Sequence, residues 1–162
     1  MNSSAVNIQP ILLGGDINCY SVARAFHEAY GVKSIAYGRY ALGATKDSKI
    51  IDFRIDKRID EKEEFIKVLM ETADEFEGTN KDLILMGCTD AYAELIIDYK
   101  EVLSKRYIVP YIDKDLKEKL IEKESFYKMC EEKGLDYPKT YIFSKGDKTT
   151  DFEFDYPVII KP

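Results

Sequence analysis

From residue 8 to residue 111 the chain alternates short apolar runs with segments of helical periodicity, and nothing else in it limits the fold so strongly. Ile11, Leu12 and Leu13 form a short buried-strand signal, punctuated at once by Gly14-Gly15. A helix is predicted over 19–30, with Val22, Ala23, Phe26, Ala29 and Tyr30 spaced onto one face and Gly31 as its stop. "KSIAYG" (33–38) reads as a second strand, and "KIIDFRI" (49–55) as a third that Asp52 and Arg54 interrupt. Asp60 with Glu63 three residues on resembles a capping box. It opens a helix that turns Phe65, Val68, Leu69, Ala73 and Phe76 to one side and ends at Gly78. "DLILMG" (82–87) is the best buried strand in the chain. A helix over 91–103 then faces Leu95, Ile96, Tyr99, Val102 and Leu103 inward, and "YIVP" (107–110) is a last short strand stopped by Pro110. Strands separated by helices describe βαβ units: an α/β, Rossmann-like parallel sheet with helices on both faces, over residues 8–111.

Such a sheet takes ligands beyond the carboxyl ends of its strands. That singles out two loops, the one after Leu13 and the one after Met86. The first, Gly14-Gly15-Asp16-Ile17-Asn18, is not a dinucleotide fingerprint, because Asp16 and Cys19 stand where G-x-G-x-x-G needs glycines. What remains is a tight strand-to-helix turn whose N–H groups could receive a carboxylate or phosphate; a purely geometric role, with Asn18 as the cap, is the competing reading. In the second loop, Thr89 or Asp90 would cap the next helix. Cys88 could pair with the one histidine, His27, as a nucleophile and base, but a small residue packed at a turn is the simpler reading. No P-loop, HExxH, EF-hand loop or nucleophile elbow is present.

The net charge of −6 argues against a general nucleic-acid binder while leaving room for a local cationic pocket. Cys19, Cys88 and Cys130 are too widely spaced for a disulfide framework or a structural zinc site, which suits a reducing, cytoplasmic setting. The first residues lack the basic-then-apolar order of a signal peptide, and no apolar run is long enough to cross a membrane. Tyrosine is frequent, at 12 residues against no tryptophan, and reads as the edge of a core more readily than as a contact surface.

Past residue 111 the character changes. Residues 114–133 are a charged helical connector with a break near Lys123, ended by Gly134 and Pro138. "KTYIF" (139–143), a turn at Gly146-Asp147 and "YPVIIKP" (156–162) read as a short antiparallel hairpin. A two-stranded pair with open edges is marginal alone, so the natural polypeptide is expected to continue. The open edge also allows a homodimer.

Three pieces of this segment carry a family resemblance: Glu122-Lys123-x-x-Phe126, Gly134-Leu135-x-x-Pro138-x-Thr140, and Pro157-Val158-Ile159-Ile160-Lys161-Pro162. In this order and spacing they resemble the start of the ATP-grasp domain of carboxylate–amine ligases, and residues 8–111 look like the preATP-grasp domain before it. "GGDINCYSVARAFHEAYG" and "GCTDAYAELI" look most like the branch with D-aspartate ligase and carbamoyl-phosphate-synthase-like proteins. The resemblance implies that residues 112–162 are the connector and the N-terminal part of an ATP-grasp domain. Its C-terminal portion, with the magnesium ligands, would lie downstream. Lys123 and Lys161 match the family's cationic contacts to ATP, and positive charge there would offset the polyphosphate during acyl-phosphate formation. Gly14, Gly15, Asp16, Asn18, Thr89 and Asp90 would border the small-molecule substrate or a domain interface. The implied parent is an ATP- and Mg²⁺-dependent ligase joining a carboxylate to an amine, on amino-acid or peptidoglycan-precursor substrates. The competing class is a non-catalytic nucleotide or small-ligand binding domain.

Overall fold

Strands that are apolar on both faces need cover on both sides, and the first four apolar runs of this chain obtain it. The computed structural model describes residues 7–143, 146 and 156–160. Four strands, β1 (Ile8–Leu13), β2 (Ser34–Gly38), β3 (Ile51–Ile55) and β4 (Asp82–Gly87), form one sheet in the order β3-β2-β1-β4, with every pair parallel. The helices between them are α1 (Ile17–Tyr30), α2 (Lys62–Asp74), α3 (Asp90–Asp98) and α4 (Lys100–Leu103). The α/β, Rossmann-like expectation is met. Winding runs outward from β1 to β3 and then returns to the other side of β1, so it reverses between β1 and β4.

Period-two alternation divides the core. Ile11, Leu13, Ile35, Tyr37, Leu83 and Leu85 face α2, α3 and α4, meeting Phe65, Leu69, Ile96 and Leu103. Leu12, Ala36 and Ile51 face the other way, against Cys19 and Ala23 of α1. Each side chain of this size removed from water contributes roughly 1.5–3 kcal/mol. Tyr37 and Tyr107 are buried in the larger cluster, with Tyr92, Tyr99 and Tyr111 packed on it, so much of the tyrosine does line a core edge. β3 is an outer strand, and its polar residues are explained by that place. Arg54 lies over the Tyr37 ring at 5.7 Å and forks onto Glu75 with bonds of 2.6 and 2.9 Å.

Pro10, buried in the central strand, looks misplaced until the ladder is followed. Gly14 N donates to Tyr37 O and Leu13 O accepts from Cys88 N, so even-numbered positions of β1 face β2. Pairing with β2 begins only at Ile11↔Ile35, so the missing N–H of Pro10 falls before that ladder starts.

Several local expectations are corrected. The cap of α1 is Asp16, not Asn18, and Ala29 and Tyr30 are exposed while Cys19 takes the inward position. Asp60 does not cap α2. Glu61 occupies that position without a side-chain bond, and Asp60 accepts from Arg39 at 3.0 Å instead. The helix expected over 91–103 breaks at Tyr99, which leaves helical geometry at φ −112° and ψ 15°, and Val102 is exposed. "YIVP" contributes one isolated bridge, Ile84↔Ile108, rather than a strand. Pro110 has no amide hydrogen with which to extend it.

The chain divides into two compact units, Met1–Lys117 and Glu118–Pro162. Within the first, Lys100 Nζ donates to Tyr111 O and to Asp113, while Lys114 and Lys117 at the start of α5 (Lys114–Ile121) reach Asp98. In the second, the helical stretch breaks at Glu122, where predicted, and α6 (Lys123–Glu132) follows. It ends in a paired turn: Gly134, at φ 64°, donates to Glu131 O and Leu135 donates to Cys130 O. Tyr127 and Tyr137 stack at 5.4 Å. Residues 139–143 and 156–160 form no strand; Asp147, Lys161 and Pro162 of the predicted hairpin lie outside the described residues. Two strands without a third have little to hold a ladder in place. Among the described residues no helix is long and apolar enough to cross a membrane.

Candidate functional site

A parallel sheet brings all its strand ends to one edge, and here that edge collects residues 14–16, 39–42, 56–61 and 88–89. Gly14 is buried at φ 139° beside the crevice where winding reverses. A β-carbon on it would stand 3.1 Å from Cys88 Cβ and 3.5 Å from Cys19 Cβ. Gly15 lies under the loop after β2: a side chain there would collide with the carbonyl oxygen of Tyr40. Leu42 N and Thr45 Oγ1 both donate to Gly15 O, at 2.9 and 2.7 Å. Both glycines are therefore required by close packing.

The start of α1 carries its own anion. Asp16 Oδ1 accepts from Asn18 N at 3.1 Å and Cys19 N at 3.3 Å, and Oδ2 accepts from the Asn18 side chain at 3.2 Å. The N–H groups predicted to receive a ligand's carboxylate or phosphate are thus turned to a carboxylate of the same loop.

After β4 the backbone is clamped from two sides. The first turn of α3 presses on Gly87, where a β-carbon would come within 2.6 Å of Ala93 N. The Tyr111 hydroxyl accepts from Gly87 N at 2.8 Å and donates to Gly87 O at 3.2 Å. Burial raises the Tyr111 phenol, so it stays protonated and able to donate. Thr89 caps α3, its hydroxyl accepting from Tyr92 N, and Asp90 is the exposed first residue of that helix.

Two features of this edge were not predicted. Arg39 and Asp60 pair at 3.0 Å beside Tyr92, whose phenol is raised first by burial and then by Asp60. Arg39 and Tyr40 directly follow β2, so the rule of strand carboxyl ends was the signal that could have found them. The second feature is the thiol pair. Cys19 and Cys88 are both free, and their β-carbons lie 3.5 and 3.1 Å from the one point where Gly14 lacks a β-carbon. The neighbouring Cys88 and burial hold the Cys19 thiol well above its ordinary value, and the neighbouring Cys19 lowers Cys88. His27 is not the partner of Cys88. It sits in the last turn of α1, about 12 Å along the helix from Cys19, with Nδ1 near Val32 O.

Gly14, Gly15, Asp16, Asn18, Thr89 and Asp90 are thus brought to one edge of the first unit. Lys123 is the exposed first residue of α6 in the second unit, and Lys161 lies outside the described residues. No group of three or more His, Cys, Asp or Glu among the described residues could hold a metal, so they do not fit a magnesium site. Two shallow clefts, of about 220 and 460 Å³, are lined by Ala73, Phe76, Glu77, Lys81, Leu83 and Arg106, and by Tyr20 with residues 43–44 and 47–50. Neither contains a residue predicted for the site.

Fold and edge together define an α/β protein of Rossmann-like type, with its open loops at the carboxyl ends of a reversing parallel sheet. No family model matches the chain. It is similar to a D-aspartate ligase of Enterococcus faecium (strain Aus0004), 42% identical over 159 residues. That match covers 94% of this chain and 38% of the relative, so the chain spans well under half the length of the protein it resembles.

Proposed function

We propose that this chain is the N-terminal part of an ATP-dependent ligase that activates an amino-acid carboxylate and joins it to an amine. The observation that carries the reading is the 42% identity, over 94% of the chain, to a protein named D-aspartate ligase. The order of the Lys123 and Lys161 motifs supports the same reading. D-aspartate, or a similar acidic amino acid, is the proposed carboxylate substrate, with the amine on a peptidoglycan precursor. ATP phosphorylates the carboxylate, and the neutral amine then attacks the acyl carbon and releases phosphate.

The residues of this chain have positioning roles in that scheme. The loops after β1 and β4 form a rigid rim, since Asp16, Thr89 and Tyr111 satisfy their backbone groups. Arg39 is a cation on the same edge with which a substrate carboxylate could exchange Asp60. Lys123 and Lys161 are the proposed contacts to ATP. Magnesium is assigned to no residue of 1–162; its proposed ligands lie in a downstream part of the proposed ligase.

The test is made in the full-length protein. With ATP, D-aspartate and hydroxylamine, an acyl phosphate would be trapped as the hydroxamate while ADP accumulates. Lys161→Ala should weaken ATP binding at least tenfold by calorimetry. ATP turnover without hydroxamate from any amino acid would overturn the reaction, and unchanged nucleotide affinity would overturn the role of Lys161.

A further inference from the structure

We propose that Cys19 and Cys88 form a redox modification site, a dithiol that a hydroperoxide converts reversibly into an intramolecular disulfide across the β1–β4 crevice. This goes beyond the ligase reading and does not depend on it.

Placement carries the inference. Cys88 directly follows β4, and Cys19 lies in the first turn of α1 on the same side of the sheet; both belong to the cluster around Leu12 and Ala36. One point, the missing β-carbon of Gly14, stands 3.1 Å from one cysteine Cβ and 3.5 Å from the other. Both β-carbons therefore crowd the same point, which glycine leaves empty. The two β-carbons thus lie no more than about 6.6 Å apart, and a disulfide asks for about 4.5 Å or less, so a limited closing of α1 on the turn after β4 forms the bond. Their access to solvent differs. Cys19 is 0% exposed while Cys88 is partly open, so an oxidant meets Cys88 first and Cys19 is held in reserve beneath it.

The chemistry balances. The Cys88 thiolate attacks one peroxide oxygen, the O–O bond breaks, and hydroxide leaves a sulfenic acid on Cys88. The Cys19 sulfur then attacks the Cys88 sulfur, the S–O bond breaks, and water departs with the Cys19 proton. In sum, two thiols and one hydrogen peroxide give one disulfide and two waters. A small dithiol reverses the change by exchange. The new bond would staple α1 to the turn after β4, beside Gly14 and Thr89, and so fix the spacing of the two loops at the site.

The test uses the full chain with hydrogen peroxide, followed by alkylation and peptide mapping under non-reducing conditions. Free thiols should fall from the three in the sequence to one, on Cys130, with a single cross-linked pair joining Cys19 to Cys88 that dithiothreitol reverses. Cys130→Ser should lose two thiols as the parent does, whereas Cys88→Ser should form no intramolecular bond. Sulfinic acid on Cys88 with Cys19 still free, or any pairing that includes Cys130, would overturn the proposal. The map of the unmutated chain decides the matter even if a variant fails to fold.

Discussion

Gly15 has no unusual backbone conformation, yet it tolerates a side chain worse than the glycines that do. The carbonyl oxygen of Tyr40 occupies the place a β-carbon would take, and Phe53 Cζ stands 3.2 Å from it. Backbone cannot rotate aside as a flexible side chain can, so Gly15→Ala must push the loop after β2 off its bonds from Leu42 and Thr45. We expect a loss of about 2–3 kcal/mol by urea unfolding. Gly43 supplies the contrast, with φ 45° and open space around it. Gly43→Ala should cost only about 1 kcal/mol, the ordinary penalty of a left-handed residue. Equal losses would mean that the loop does not cross Gly15 as described.

Caps show at the scale of elements why some of the structure was legible and some was not. Asp16 serves two backbone N–H groups at the start of α1, while Asn18 serves none. Asp16→Ala should therefore cost about 1 kcal/mol. Asn18→Ala should stay within about 0.5 kcal/mol, and the reverse order in thermal unfolding would return the cap to Asn18. Strands and helices could be read because burial on both faces writes continuous apolar runs, and burial on one writes a stripe. The cap could not, because Asp16 and Asn18 are equally good capping residues two positions apart, and only the backbone selects one. The break at Tyr99 was hidden because apolar periodicity continues through it to Leu103. For the site, the sequence located the edge by topology but not its contents. Tyr40 reaches Gly15 from 25 positions away and Tyr111 reaches Gly87 from 24, and neither pairing leaves a local pattern. The thiol pair escaped for the same reason, since Cys19 and Cys88 meet only once β1 and β4 are side by side.

With 30 acidic residues against 24 basic ones, the molecule as a whole holds many ion pairs at its surface, most of them exposed and weak. The pair system at Asp98 is better placed. It accepts from Lys117 at 3.0 Å and lies 3.5 Å from Lys114, and the Lys117 side chain is only 12% exposed. Asp98 ends α3, where a carboxylate faces the unfavourable pole of the helix, so its stability there depends on the lysines of α5. The bond from Lys117 holds its carboxyl below the ordinary aspartate range. A carboxyl lowered on folding stabilises the folded chain fully above its unfolded value, about 3.9, and that contribution fades as pH falls through the folded value. Asp98→Asn should then lower stability at neutral pH by roughly 0.5–1 kcal/mol, with solvent screening already allowed for. The gap between variant and parent should close as both are acidified below the ordinary aspartate range, and it should shrink in high salt. Urea unfolding across that range reads it directly. A gap that persists unchanged in acid would assign the loss to packing of the α3 terminus, and the charge of Asp98 would then have no part in holding residues 114–117 to the sheet unit.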